Sequence, residues 1–104
     1  MSKLTLIIKT TCQPGKRDEV RSLWDEHLRP RLEANDGQEV YFFCNDDQNE
    51  NIFYLFELYS SRELFQEQSQ APWFWAYMEK VGPLLDGQPE VAMTTPVWAK
   101  GATL

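Results

Sequence analysis

Histidine and cysteine, the side chains that most often bind metals or attack substrates, are nearly missing: one histidine, His27, and two cysteines, Cys12 and Cys44, in 104 residues. Neither cysteine lies in a C-x-x-C pair or at a Cys/His ligand spacing, so free thiols and no metal site are expected. The glycines supply no GxGxxG or P-loop spacing, which fits a protein that needs no nucleotide. No apolar run approaches the roughly eighteen residues of a membrane span, and the start MSKLTLIIKTT lacks the basic and apolar regions of a signal peptide. A cytoplasmic protein without a membrane partner is the expectation. Basic residues are also scarce. Ten Lys and Arg face sixteen Asp and Glu, and the net charge of -6 repels phosphate backbones, which argues against nucleic acid as a partner.

What is present is the composition of a folded chain, 42% hydrophobic and 13% aromatic, and the length leaves room for one core, a single domain over residues 1–104. Leu4, Leu6 and Ile8 alternate with Thr5, Ile7 and Lys9, which predicts a strand ended by Gln13-Pro14-Gly15. From about Lys16 a helix follows, with Val20, Leu23, Trp24, His27 and Leu28 at helical spacing; Pro30 closes or kinks it, and Asp36-Gly37 turns the chain. Residues 39–44 read as a second strand, joined to a third at residues 53–59 through a solvated loop of turn formers at 45–51.

Ser60 with Glu63 fits a capping box in front of a helix starting near Arg62. Pro72 breaks that helix, and residues 73–81 form a second helical piece. A last strand, residues 90–99, contains Pro96 and so belongs at an edge. The order β-α-β-β-α-β is that of the ferredoxin-like fold, an α+β antiparallel four-stranded sheet with its helices on one face. The other face is left bare. Five residues on each of four strands cover on the order of 300 Å², and burying such a patch is worth roughly 8 kcal/mol per subunit, which favours pairing with a second copy.

The third strand carries the chemistry. Phe53, Leu55, Glu57 and Tyr59 share one face, and Glu57 is a lone carboxylate among large apolar residues, where an unpaired charge costs on the order of several kcal/mol. It requires a donor or a cavity. The two readings are a structural ion pair with Arg or Lys across the sheet or dimer, and a pocket carboxylate, its pKa raised by burial, that orients a substrate hydroxyl or acts as base. On the following helix Gln68 stands where the period asks for an apolar residue, either at the helix margin in water or against a ligand. Trp73, Phe74, Trp75 and Tyr77 cannot share one side of a helix, so some line a cavity, an interface or solvent; Trp73 and Tyr77 are candidate walls for an aromatic ligand. His27, on the apolar stripe of the first helix, is a core-edge histidine or a second candidate proton acceptor.

Glu57 near the end of its apolar strand, the run YSSRELF and the P-W-F of residues 72–74 together resemble the antibiotic biosynthesis monooxygenase family of dimeric α+β barrels. LTLIIKTTCQPGKRDEV is similar to the family's first strand and Pro-Gly entry into helix one, and LRPRLEANDGQEVYFF to its helix end, turn and second strand. The resemblance implies a homodimer with sheets back to back, and an oxygenase that uses no metal or flavin and oxidises a small quinol or phenol in a pocket between helices and sheet. Glu57 and His27 are then the candidate catalytic residues, and Tyr59, Gln68, Trp73 and Tyr77 the candidate substrate-binding residues. Many members carry a histidine where Gln68 stands and another where Trp73 stands; this chain has neither. Tyr59 occupies the position of a Trp in haem-degrading relatives, but no histidine follows His27 to ligate haem. A reading of another class is a non-catalytic dimeric barrel that binds a small aromatic ligand.

Overall fold

The computed structural model describes residues 2–104. Four strands, β1 (Leu4–Thr11), β2 (Gln38–Asn45), β3 (Ile52–Tyr59) and β4 (Glu90–Thr94), form one antiparallel sheet in the order β2-β3-β1-β4. This is the ferredoxin-like α+β arrangement. The register puts Leu4, Leu6, Ile8 and Thr10 of β1 beside Tyr59, Glu57, Leu55 and Phe53 of β3. That face meets the helices. Alternation along the strands then fixes Ile7, Phe42 and Phe56 on the opposite face, where they stay exposed.

The first crossover does not close at Pro30, one of the two outcomes expected there. It runs as α1 (Arg17–Leu23), a π-helical turn (Trp24–Leu28) and α2 (Arg29–Glu33), with Pro30 inside the helical run. Pro30 has no N–H, and its ring crowds the carbonyl one turn back. Widening the preceding turn resolves this, and the amide of Arg29 reaches back five residues to the carbonyl of Trp24. The turn entering the crossover uses Gly15 at φ +76°, which a side chain would oppose.

The second crossover breaks at Pro72 as the sequence predicts, giving α3 (Arg62–Ser69) and α4 (Pro72–Val81), followed by a 3-10 turn (Gly82–Leu84). Its N-cap is one residue later than expected. Ser61 accepts from the amide of Leu64 at 3.3 Å, while Ser60 Oγ donates to Glu39 Oε2 at 2.7 Å. Strand β4 is shorter than residues 90–99. Thr94 is the last residue with a partner, because Thr5 opposite it is one residue from the start of β1 and Pro96 could donate nothing beyond. Pro96 therefore lies outside the strand, which is an edge of the sheet as anticipated.

The core divides. Val20, Trp24, Leu28, Phe53, Tyr77, Val81 and Leu85 pack together under α1 and α4, with Phe43 and Phe53 stacked at 4.4 Å; Leu4, Leu6 and Tyr59 pack against Phe65 of α3. Between these two clusters lies a space. Among the described residues no helix is long and apolar enough to cross a membrane.

Candidate functional site

Helices cover the β1, β2 and β3 portion of the inner face and leave β4 open, so Val91 and Met93 stay about half exposed although they share the inner face with Leu6 and Ile8. The result is a cavity of ≈ 330 Å³ between sheet and helices. Its floor is Leu6, Ile8, Thr10, Leu55 and Glu57, and exposed Trp75, Gln88 and Val91 line its open side. Tyr41, Tyr59 and Tyr77 add phenols, and Gln68 an amide, to a mostly apolar wall. Glu57 is the one charged residue among those that line it.

The side chains that bond to Glu57 within this chain are neutral. Among the described residues no cation reaches it. Its Oε1 accepts from Gln38 Nε2 at 2.9 Å and from the Tyr59 hydroxyl at 3.0 Å, and among the described residues Oε2 has no hydrogen-bond partner. Burial disfavours the carboxylate more than the two neutral donors stabilise it, so its pKa is pushed up to about 7. Among the described residues of this chain, no Arg or Lys pairs with Glu57. Burial and the carboxylate beside it drive the Tyr59 phenol well above its ordinary value, so Tyr59 keeps its proton and acts as a donor. Tyr41, opposite Glu57 on β2, is likewise raised by burial, and its oxygen accepts from Trp24 Nε1 at 3.2 Å. Tyr77 is raised by burial too.

Gln68 is buried rather than at a wet margin. Its Nε2 donates to Tyr59 Oη at 2.7 Å and its Oε1 accepts from Asn35 Nδ2 at 2.7 Å. Its place in the apolar stripe of α3 is what points it inward, between Leu64 and Phe65 on one side and Tyr59 below. The structure thus brings Glu57, Tyr59, Gln68 and Tyr77 to one cavity. Two candidates lie elsewhere. His27 does not line the cavity; it sits in the π-helical turn, partly exposed, with Nε2 3.7 Å from Glu26 Oε2. Trp73 lines a separate surface hollow with Asn35 and Glu67, under the guanidinium of Arg31 at 5.5 Å. Gln38 and Asn35 were missed by sequence reasoning. Gln38 alternates onto the same face as Glu57 only through an irregularity in β2 between Gln38 and Val40, which period-two counting cannot anticipate.

Residues 4–80 match the sequence model of a family described as antibiotic biosynthesis monooxygenase. The fold recurs in solved structures. A Caulobacter crescentus protein provisionally described as an antibiotic biosynthesis monooxygenase superposes with a TM-score of 0.86 at 21% identity, over 93% of this chain and 92% of its own. A Chloroflexus aurantiacus protein with the same provisional description gives 0.80 at 23% identity, over 96% and 98%. A Mycobacterium tuberculosis protein gives 0.82 at 27% identity, over 97% and 100%. No curated protein matches the chain.

Proposed function

This chain belongs to the antibiotic biosynthesis monooxygenase family, and from that premise we propose that it oxidises a small quinol or phenol with dioxygen in the cavity above Glu57. The observation that carries the reading is the state of that carboxyl: the one charged group lining a mostly apolar chamber, one oxygen occupied by two donors, the other free for a ligand. A group with a pKa near 7 divides its time between acid and base at neutral pH, which suits it to take a proton from a substrate hydroxyl. The phenolate so formed is electron-rich enough to reduce dioxygen. One oxygen atom enters the ring carbon, the other leaves as water with the two hydrogens lost, and the substrate supplies the electrons, so phenol and dioxygen give quinone and water. Tyr41 and Tyr77, held protonated by burial, offer hydroxyl donors to the developing phenolate. Glu57, not His27, is the base in this reading.

Oxygen consumption with a panel of quinols and phenols tests it. The wild type consumes oxygen, and Glu57→Gln loses at least about a hundredfold in kcat, the ordinary range for a removed general base. Zero uptake with measurable binding of the same compounds means instead a barrel that binds aromatics without reacting with them. We also infer that the bare sheet face carrying Ile7, Phe42 and Phe56 pairs with a second copy, and that the protein works in the cytoplasm, the compartment that keeps two free thiols reduced.

A further inference from the structure

We propose that Asn35 is a positioning residue for the cavity carboxylate: a one-way chain of hydrogen bonds, from the Gly37 amide through Asn35, Gln68 and Tyr59, fixes the direction in which hydrogen points at Glu57. This rests on the reading of Glu57 as the reacting acid and base. The chain has four links. Gly37 N donates to Asn35 Oδ1 at 3.0 Å, Asn35 Nδ2 to Gln68 Oε1 at 2.7 Å, Gln68 Nε2 to Tyr59 Oη at 2.7 Å, and Tyr59 Oη to Glu57 Oε1 at 3.0 Å.

The direction follows from the first link. A backbone N–H can only donate, so the Asn35 atom facing Gly37 is its oxygen and the atom facing Gln68 is its nitrogen. Gln68 must then turn its oxygen to Asn35 and its nitrogen to Tyr59. With Gln68 donating into Tyr59 Oη, the phenolic hydrogen is free for Glu57. No link can flip alone without setting two donors or two acceptors face to face.

The turn that holds Asn35 is built for this contact. A Cβ on Gly37 would lie 2.6 Å from Leu64 Cδ1, so glycine there lets α3 come down on the turn, and the Gly37 carbonyl accepts from Ser60 N at 2.8 Å. The charged and titratable groups around the chain are few. Tyr41 on β2 and Tyr77 on α4 face the cavity, Leu6 of β1 is opposite Glu57, and Arg31 and Glu67 line the surface hollow at the Asn35 end. None of them bonds to Glu57.

Asn35→Asp reverses the polarity. A carboxylate keeps the Gly37 bond but accepts where Asn35 donated, so Gln68 turns over, offers its oxygen to Tyr59, and draws the phenolic hydrogen away from Glu57. The experiment is a carbon-detected NMR titration of the Glu57 carboxyl, without substrate, in wild type, Asn35→Asp, Tyr59→Phe and the double variant, with folding checked by the amide spectrum. The expected result is an upward shift of the Glu57 midpoint by about one pH unit in Asn35→Asp, and by less than about 0.3 unit when the same change is made on Tyr59→Phe, where the last link is gone. Equal shifts in the two backgrounds mean that the new charge acts through space, and overturn the chain. If Asn35→Asp does not fold, Gln68→Met, which removes the donor to Tyr59, must move the midpoint in wild type and not in Tyr59→Phe; no movement in either overturns it as well. Because no substrate is present, failure here is separable from failure of the oxygen-uptake experiment.

Discussion

Glu57 also leaves a mark on stability, and its sign follows from the direction of its shift. The folded chain holds the proton to about pH 7, whereas the ordinary value of the unfolded chain is 4.5. Between those values the folded state binds more protons, so stability is full below about pH 4.5, falls as pH rises, and has lost on the order of 3 kcal/mol above pH 7. Glu57→Gln removes the titration while keeping an oxygen for Tyr59. The variant should be more stable than wild type at pH 8, by about 2 kcal/mol, and no more stable at pH 4. Urea unfolding at the two values checks this, and a variant that gains nothing at pH 8 contradicts the raised pKa. The sequence exposed Glu57 because a carboxylate interrupts an apolar strand face. It did not expose the partners, since neutral donors leave no charge pattern to read, and Asn35 in the run Asn35-Asp36-Gly37 looks like any other turn former.

At the scale of elements, the strands and the Pro72 break were legible from period and punctuation, because those signals are local. What escaped is non-local. The loop between β2 and β3 reads as a solvated run of turn formers, yet its backbone is pinned from below by α1: Arg17 Nη1 lies 3.1 Å from each of the carbonyls of Asp46, Asn49 and Ile52. Two hydrogens serve three oxygens, so at least one bond is shared. The sequence separation of about thirty residues hides it. Arg17→Ala should cost about 2 kcal/mol, the usual worth of charge-assisted bonds, and should speed amide exchange at the β2–β3 loop while leaving the β1–β3 ladder protected. Uniform loss of protection over the whole sheet would mean that Arg17 supports the core and not the loop. The π-helical turn is non-local in another sense. Pro30 announces a perturbation, but whether a helix stops, bends or widens depends on what the preceding turn packs against, here Trp24 on Tyr41 and Phe43.

For the whole molecule, the order β-α-β-β-α-β was enough to predict one helix-covered face and one open face, because both crossovers must lie on the same side. The open face now has particular residues. Phe42 is 59% exposed, Phe56, its neighbour in register, 42% and Ile7 41%, while Val97 and Trp98 in the segment after β4 are exposed as well. A contiguous apolar surface of this kind is costly in water and rarely left uncovered by a lone small chain. With Phe56 on an inner strand between Phe42 and Ile7, it is the side chain whose replacement should matter most. Sedimentation should find a dimer at micromolar concentration, and Phe56→Lys should weaken association by roughly 2 kcal/mol or more, about thirtyfold, with the cavity and the Glu57 titration unchanged because that residue points away from them. A wild-type chain that sediments as a single copy at that concentration would mean that the open face is covered by something other than itself.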